Sequence, residues 1–415
     1  MTRMLLVVAA VAAFFPATPA AFAAPLQATF LQRSYRPGDV ALLRIVSTPS
    51  RVLQLDVFRV GARLDAGDRT TEGAPVDATR RLDGPPSPWT LHLPIGDWPS
   101  GVYVARLVAA DGDVTYAPFV LRPRLLGHSA RVLVVEPTNT WQAYNDYGGD
   151  SWYESPFVHV IALDRPYEAH GLPGNDALGV GFLRWYAASG ATADFVADDD
   201  LERFADAAQL RRLYDLIVFP GHEEYVTVHV YDLVEGFRNL GGSLAFLAAN
   251  NFFYRVAREG DAIVGRTRWR DLGRPEAALV GAQYVGWDEQ RFPNVPYRVA
   301  SVAAAPWFFA GSGLHYGSTF GRYGIEIDAL APSSPHDTRV LASIPNDFGP
   351  GVAAEMTYYR RGRAQVFDAG VMNFGASADW PVVSTLMDNL WQHLSGERAP
   401  LGRVRPTSRT SRRSA

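Results

Sequence analysis

From Ala130 onward, apolar strand-like runs alternate with helix-spaced segments, and this restricts the fold more than any other feature. The runs RVLVVEP (131–137), DFVADD (194–199), DLIVFPG (215–221), GSLAFLAAN (242–250) and RAQVFDAG (363–370) read as buried strands. Between and after them, DALGVGFLRWYAAS, LERFADAAQLRRLY, TVHVYDLVEGFRNLG and PVVSTLMDNLWQHLSG carry helical spacing, the last opening with Pro381 and closing on Gly396. Such alternation calls for an α/β unit: a doubly wound parallel sheet with helices on both faces, assigned here to residues 130–397.

The chain before this unit has a different texture. VALLRIVS, VLQLDVFRV, WTLHLP, GVYVARLVA and YAPFVLRP are short β-rich runs separated by turn clusters, so residues 24–125 read as a β-sandwich of the immunoglobulin kind. Inside the α/β unit the alternation lapses between Asp261 and Asp347, where Gly, Pro and aromatics dominate. A long irregular insertion of this sort is expected as a binding loop or lid, with a subsidiary β-layer as the alternative. The tail, 398–415, is basic and polar and is expected to be disordered.

The N-terminus has the grammar of an export signal: Arg3, an apolar run from Met4 to Phe15, and the small-residue site Ala21-Phe22-Ala23. The run is too short to span a bilayer, so residues 1–23 are expected to be removed and the protein secreted or periplasmic, without a membrane anchor. The net charge of −4 gives no basis for nucleic-acid binding. The chain lacks cysteine, and all 39 of its basic residues are arginine. Disulfides, thiol nucleophiles, Schiff bases and Ser-Lys dyads are therefore excluded. With no GxSxG elbow either, catalysis must draw on His, Asp, Glu, Ser, Thr, Tyr or a metal.

In a doubly wound sheet, ligands gather at the carboxyl ends of the strands. Three unusual stretches fall there: TNTWQAYNDYGG after VLVVEP, GHEEY after DLIVFP, and NNFFYR after SLAFLA. Strand direction alone predicts that Tyr144, His222, Glu224 and Asn250 approach one another. His222-x-Glu224 reads as a metal or acid–base pair, or else as Glu223 and Glu224 capping the following helix.

Taken together, PTNTWQAYNDYGGDSWY, FPGHEEY, GGSLAFLAANNFFYRV and SGVYVARL resemble the large (beta) subunit of N,N-dimethylformamidase and the proteins sharing its C-terminal domain, whose core is similar to class I glutamine amidotransferases. The resemblance implies one iron, expected as Fe3+, between two tyrosines and a glutamate, matching Tyr103, Tyr144 and Glu224. It also implies His222 beside the metal, Asn250 closing the next strand, and a late carboxylate paired with the histidine, matched to Glu355. On this basis the chain is expected to hydrolyse the C–N bond of a small amide or formamide, with Asn250 steadying the oxyanion or the substrate amide. A small subunit or a homo-oligomer is the expected assembly. The sequence departs from the family pattern after GHEEY, where Val226 and Thr227 replace an aromatic, and after Asn250, where the usual tryptophan is missing. A secreted, non-catalytic protein binding a saccharide or small ligand on the same fold is the competing expectation.

Overall fold

The computed structural model describes residues 26–47, 52–61, 73–85, 87–153, 158–168, 170–174, 179–288, 295–346 and 349–396. The expected export signal and basic tail lie outside these residues. Among them, no helix is long and apolar enough to cross a membrane.

The β-rich runs of the first region pair as expected into two sheets, one of three strands and one built around Val52–Arg59, Gly101–Ala109 and Val114–Leu121. Their facing sides close one core, with Leu43, Leu55, Leu107 and Phe119 all buried. In a strand, successive side chains point to opposite faces. On Gly101–Ala109 that rule divides two jobs. Tyr103, Ala105 and Leu107 enter the sandwich core, while Val102 and Val104 join a second core with Val132, Val134 and Phe195 of the following unit. Each fully buried valine contributes roughly 1.5–3 kcal/mol, so this shared apolar seam holds the two regions together. The Phe195 amide donates to Ser100 Oγ at 2.8 Å, and Arg33 Nε donates to Asp199 at 2.6 Å, both across the seam.

The second region is centred on a nine-stranded sheet. Asp194–Ala197, Val132–Glu136, Leu216–Phe219, Ser243–Phe246 and Ala364–Asp368 run parallel in that order. The four strands beyond them, Ala354–Arg361, Arg339–Ile344, Val295–Val299 and Thr319–Tyr323, are antiparallel. The expectation of a wholly parallel sheet is corrected to a mixed one. The described part of the stretch from Asp261 to Asp347 supplies three strands of the main sheet, one strand of a four-stranded sheet and both strands of a two-stranded one, and it also lines a cavity with Arg266, Tyr284 and Glu326. Its short strands are broken by register shifts and irregular turns, which blurs the period-two pattern that would have identified them.

Candidate functional site

The parallel strands deliver side chains to one edge, and short tethers fix them there. After Val132–Glu136 the chain enters a helix, Thr138–Ala143, with Tyr144 at its end. Asp198, from the neighbouring strand end, accepts hydrogen bonds from Thr138 Oγ1 and, at 2.8 Å, from the Asn139 amide. The Thr140 hydroxyl accepts the Glu224 N–H at 3.1 Å, which fixes the helix carrying Tyr144 against the GHEEY segment. The same segment is held from its other side, where the Phe252 and Tyr254 amides donate to the carbonyls of Glu223 and Glu224 at 2.7 and 2.9 Å. Glu223 and Glu224 do not cap the next helix. A strand, Tyr225–Thr227, intervenes, and Thr227 accepts the Val230 amide as the cap.

The four side chains expected to converge are together. The Tyr144 ring centroid lies 5.7 Å from that of His222. His222 Nε2 is 3.6 Å from Glu224 Oε2, and Asn250 Nδ2 donates to Glu224 Oε1 at 3.3 Å. Backbone strain concentrates at the same place: Asn250, Phe252 and Ile325 have φ of 56°, 57° and 67°. A β-branched residue in the left-handed region is a true outlier, tolerated only where the surroundings fix it.

Two expected site residues are elsewhere. Tyr103 is fully buried in the sandwich core, stacked against Trp98 and Phe119, and its hydroxyl donates to the Pro99 carbonyl at 2.6 Å. Strand alternation explains the correction: the face of Gly101–Ala109 that meets the second region carries Val102 and Val104, so Tyr103 points the other way. Glu355 accepts the Leu330 amide at 2.8 Å and supports a turn. The carboxylate near the histidine is Glu326, 3.4 Å from His222 Nε2 and accepting from Asn250 Nδ2 at 2.9 Å.

Sequence reasoning assigned no role to Glu326, Tyr153 or Tyr225. Tyr153 donates to Glu224 Oε2 at 3.3 Å, its hydroxyl meets that of Tyr225, and its ring stacks on Tyr144 at 4.4 Å. Tyr144, Tyr153 and Tyr225 all hydrogen-bond Glu224. A signal for Glu326 existed in IEID, where alternation places Glu326 and Asp328 on one face and Ile325 and Ile327 on the other. Both acids are buried, and Asp328 accepts the Asn250 amide at 2.9 Å.

The electrostatics of this cluster are unbalanced. Burial, and next the nearby Glu326, raise the Glu224 pKa well above the usual carboxylate range. Burial likewise lowers that of His222, against the pull of Glu326. Burial and Glu224 raise the Tyr144 phenol. The His222 ring is bonded to the Asn250 backbone, which leaves Nε2 buried and without a hydrogen-bond partner. Nε2 then presents a lone pair to two carboxylates, three acceptors facing one another, an arrangement that needs a proton or a cation between them.

Tyr144 also separates two cavities. One, of about 890 Å3, opens over Glu224, Asn250 and Glu326. The other, of about 530 Å3, is reached from the His222 side. Tyr144 is 37% exposed, as befits a partition between them.

No curated protein matches the chain. Among solved structures, likenesses include Escherichia coli alpha-2-macroglobulin at 15% identity and TM-score 0.19, covering 25% of this chain and 9% of that one. The mmIFT52 N-terminal domain shares 12% identity at TM-score 0.30, covering 51% and 88%. A Paenibacillus sp. cycloisomaltooligosaccharide glucanotransferase shares 11% at TM-score 0.15, covering 63% and 32%. At these scores none bears on function. The sequence comparison with protein families is decisive by contrast, because the match extends over residues 55–388 and takes in every residue of the cluster described above. The chain belongs to the N,N-dimethylformamidase beta subunit-like family, matching its C-terminal part.

Proposed function

We propose that this protein is a hydrolase of the N,N-dimethylformamidase type that cleaves the C–N bond of a small amide or formamide with the help of one iron ion. The observation that carries the reading is His222 Nε2 facing Glu224 and Glu326 without a partner, in a pocket ringed by phenols. The donor set fits a hard, highly charged cation: Tyr144, Tyr153 and Glu224 would hold it, with Tyr153 taking the place first expected of Tyr103. A free phenol is neutral at pH 7 by about a thousandfold, and burial strengthens that preference here, so only a strong local positive charge makes these oxygens anionic ligands.

When bound, iron supplies Lewis-acid polarisation of the amide carbonyl and acidifies water. His222 accepts a proton from water at Nε2 and returns it to the departing nitrogen. The Asn250 carbonyl holds the imidazole in the required tautomer, and Glu326 stabilises it while charged. Both hydrogens of the Asn250 amide are committed to Glu224 and Glu326, and its Oδ1 is buried without a partner. An acceptor cannot steady an oxyanion, so Asn250 is better suited to receive an N–H or a water hydrogen than to the oxyanion role first expected.

The proposal includes export through residues 1–23, an immunoglobulin-like sandwich, a glutamine amidotransferase-like α/β unit, and a small partner subunit or a homo-oligomer. The test is metal analysis joined to an amine-release screen over short amides. About one iron per chain is expected, with a visible tyrosinate-to-iron band, and amine release that falls about a thousandfold in Glu224→Ala. Protein prepared with iron available that binds none would overturn the reading in favour of a non-catalytic binding protein.

A further inference from the structure

Where the sandwich meets the α/β unit, three arginines face one cavity. The strand Ser34–Tyr35 pairs in parallel with the end of Val114–Leu121, setting Ser34 opposite Val120 and Tyr35 opposite Leu121. The two segments leave this ladder side by side, so Arg36 and Arg122, the next residue on each, stand together. Arg203 joins them from the second region, on the turn after the helix Asp198–Leu201. The three line a cavity of about 330 Å3 with Gln32, Tyr35, Asp39 and Val40. An adjoining cavity of about 230 Å3 shares Arg36 and Asp39 and adds Pro37, Gly38 and Arg124. Neither has a lining residue in common with the cavities at Tyr144.

Carboxylates are in short supply here. Arg36 meets Asp39 at 3.5 Å, while Arg122 and Arg203 approach one oxygen, Asp200 Oδ1, at 3.2 and 3.4 Å. Neither guanidinium is aligned on that oxygen, which makes no hydrogen bond, and Arg122 Nε donates to Ser34 Oγ at 3.1 Å. The other oxygen of Asp200 is committed to the Ala197 amide. Three guanidiniums against two acids leave one positive charge, in a chain whose net charge is −4. The Arg122 side chain is only 12% exposed. Burial lowers its pKa, and Arg203 and Arg36 push the same way. A charge held out of water beside like charges is costly unless an anion completes the pairing. The planar arginine fork matches the oxygens of phosphate and sulfate. A cavity of this size sits at the lower end of small-molecule pockets, roughly 300–1,000 Å3, and has room for more than a bare ion.

We propose that this cavity seats a phosphate or sulfate monoester of a small polar molecule, its oxyanion held by Arg36, Arg122 and Arg203 and its remainder lying over Gln32 and Val40 toward Arg124. The inference goes beyond the hydrolase reading and does not rest on it. Because the arginines come from both regions, the bound oxyanion also fastens the seam between them, so binding is expected to stabilise the whole chain.

Titration calorimetry and thermal unfolding of the full chain test it with glucose 6-phosphate, glucose 6-sulfate, inorganic phosphate and glucose, against sodium chloride at equal ionic strength. The esters should bind and raise the unfolding midpoint by a few degrees, while glucose and chloride should do neither. Arg36→Gln and Arg203→Gln, at half-exposed side chains, should each weaken binding about tenfold or more. Asp39→Asn keeps an acceptor for the Arg36 amide but removes a competing negative charge, and it should tighten binding, an outcome a damaged fold does not give. Inorganic phosphate bound as tightly as the esters upholds the seat and assigns it to the free ion. A shift that chloride reproduces, binding unchanged in both arginine variants, or no binding of any oxyanion at millimolar concentration overturns the proposal.

Discussion

Tyr103 and Tyr144 have the same side chain and lie in very different surroundings. In the sandwich, Tyr103 is packed between rings and its hydroxyl is satisfied by the Pro99 carbonyl. At the carboxyl edge of the sheet, Tyr144 borders two cavities and bonds a buried acid. The contrast extends to the regions around them. Among the described residues, the buried acids with both carboxylate oxygens unpartnered are Glu136, Glu223 and Asp368, and all three belong to the second region. Glu136 and Asp368 end parallel strands, and Glu223 follows a third. A region that only needs to be stable can satisfy its polar groups, whereas one that binds and reacts keeps some in reserve.

The sharpest way to break this comparison is to remove both hydroxyls separately. Tyr144→Phe should leave a folded protein whose amine release falls at least about a hundredfold and whose iron band is lost or shifted. If activity and band survive, Tyr144 is merely an exposed aromatic.

A second test addresses the reserve of unpaired acids. Burial raises the Glu136 carboxyl to about 8, against 4.5 for the free group. The folded protein therefore keeps a proton that the unfolded chain releases, so this group's contribution to stability is complete below about pH 4.5 and is lost as pH climbs toward 8. Glu136→Gln cannot ionise. It should raise stability near pH 7 by up to about 3 kcal/mol and lower the pH slope by about one proton. Parallel urea-unfolding curves at pH 5, 7 and 8 for the two proteins would refute it.

Smaller effects are expected on the structural side of the comparison. Tyr103→Phe should cost about 1–3 kcal/mol in urea unfolding, through the unpaired Pro99 carbonyl, with iron content and kcat/KM unchanged. Loss of iron in that variant would restore Tyr103 as a ligand. The smallest effect should come from Tyr147→Phe, which removes the bond from Tyr147 Oη to Gln27 that ties the glycine-hinged loop to the sandwich. About 1 kcal/mol is expected, read by the same unfolding measurement.

The legible part of the fold was whatever a short-range pattern could encode. The helix Pro381–Ser395 could be read from its proline start and its Gly396 cap, which has φ of 72°. The parallel strands could be read from apolar runs, and their direction was enough to bring Tyr144, His222, Glu224 and Asn250 to one edge. The antiparallel half of the sheet was not legible, because bulges interrupt its alternation. Glu326 stands on Ile325–Ala329, a strand of a separate two-stranded sheet, and Glu355 was matched to the late carboxylate through the family resemblance alone.

The sequence by itself determined the chemistry at hand: no thiol, no lysine, and a histidine, acids and phenols grouped after apolar strands. It also determined the strand ends on which most of those groups stand. Only the tertiary structure decided which phenol and which late acid reach the site. A strand residue faces one of two opposite sides, and a shift of one position moves it from pocket to core. Which side of Gly101–Ala109 meets the sheet depends on how Val102 and Val104 pack against residues far away in the chain, and no local pattern records that choice.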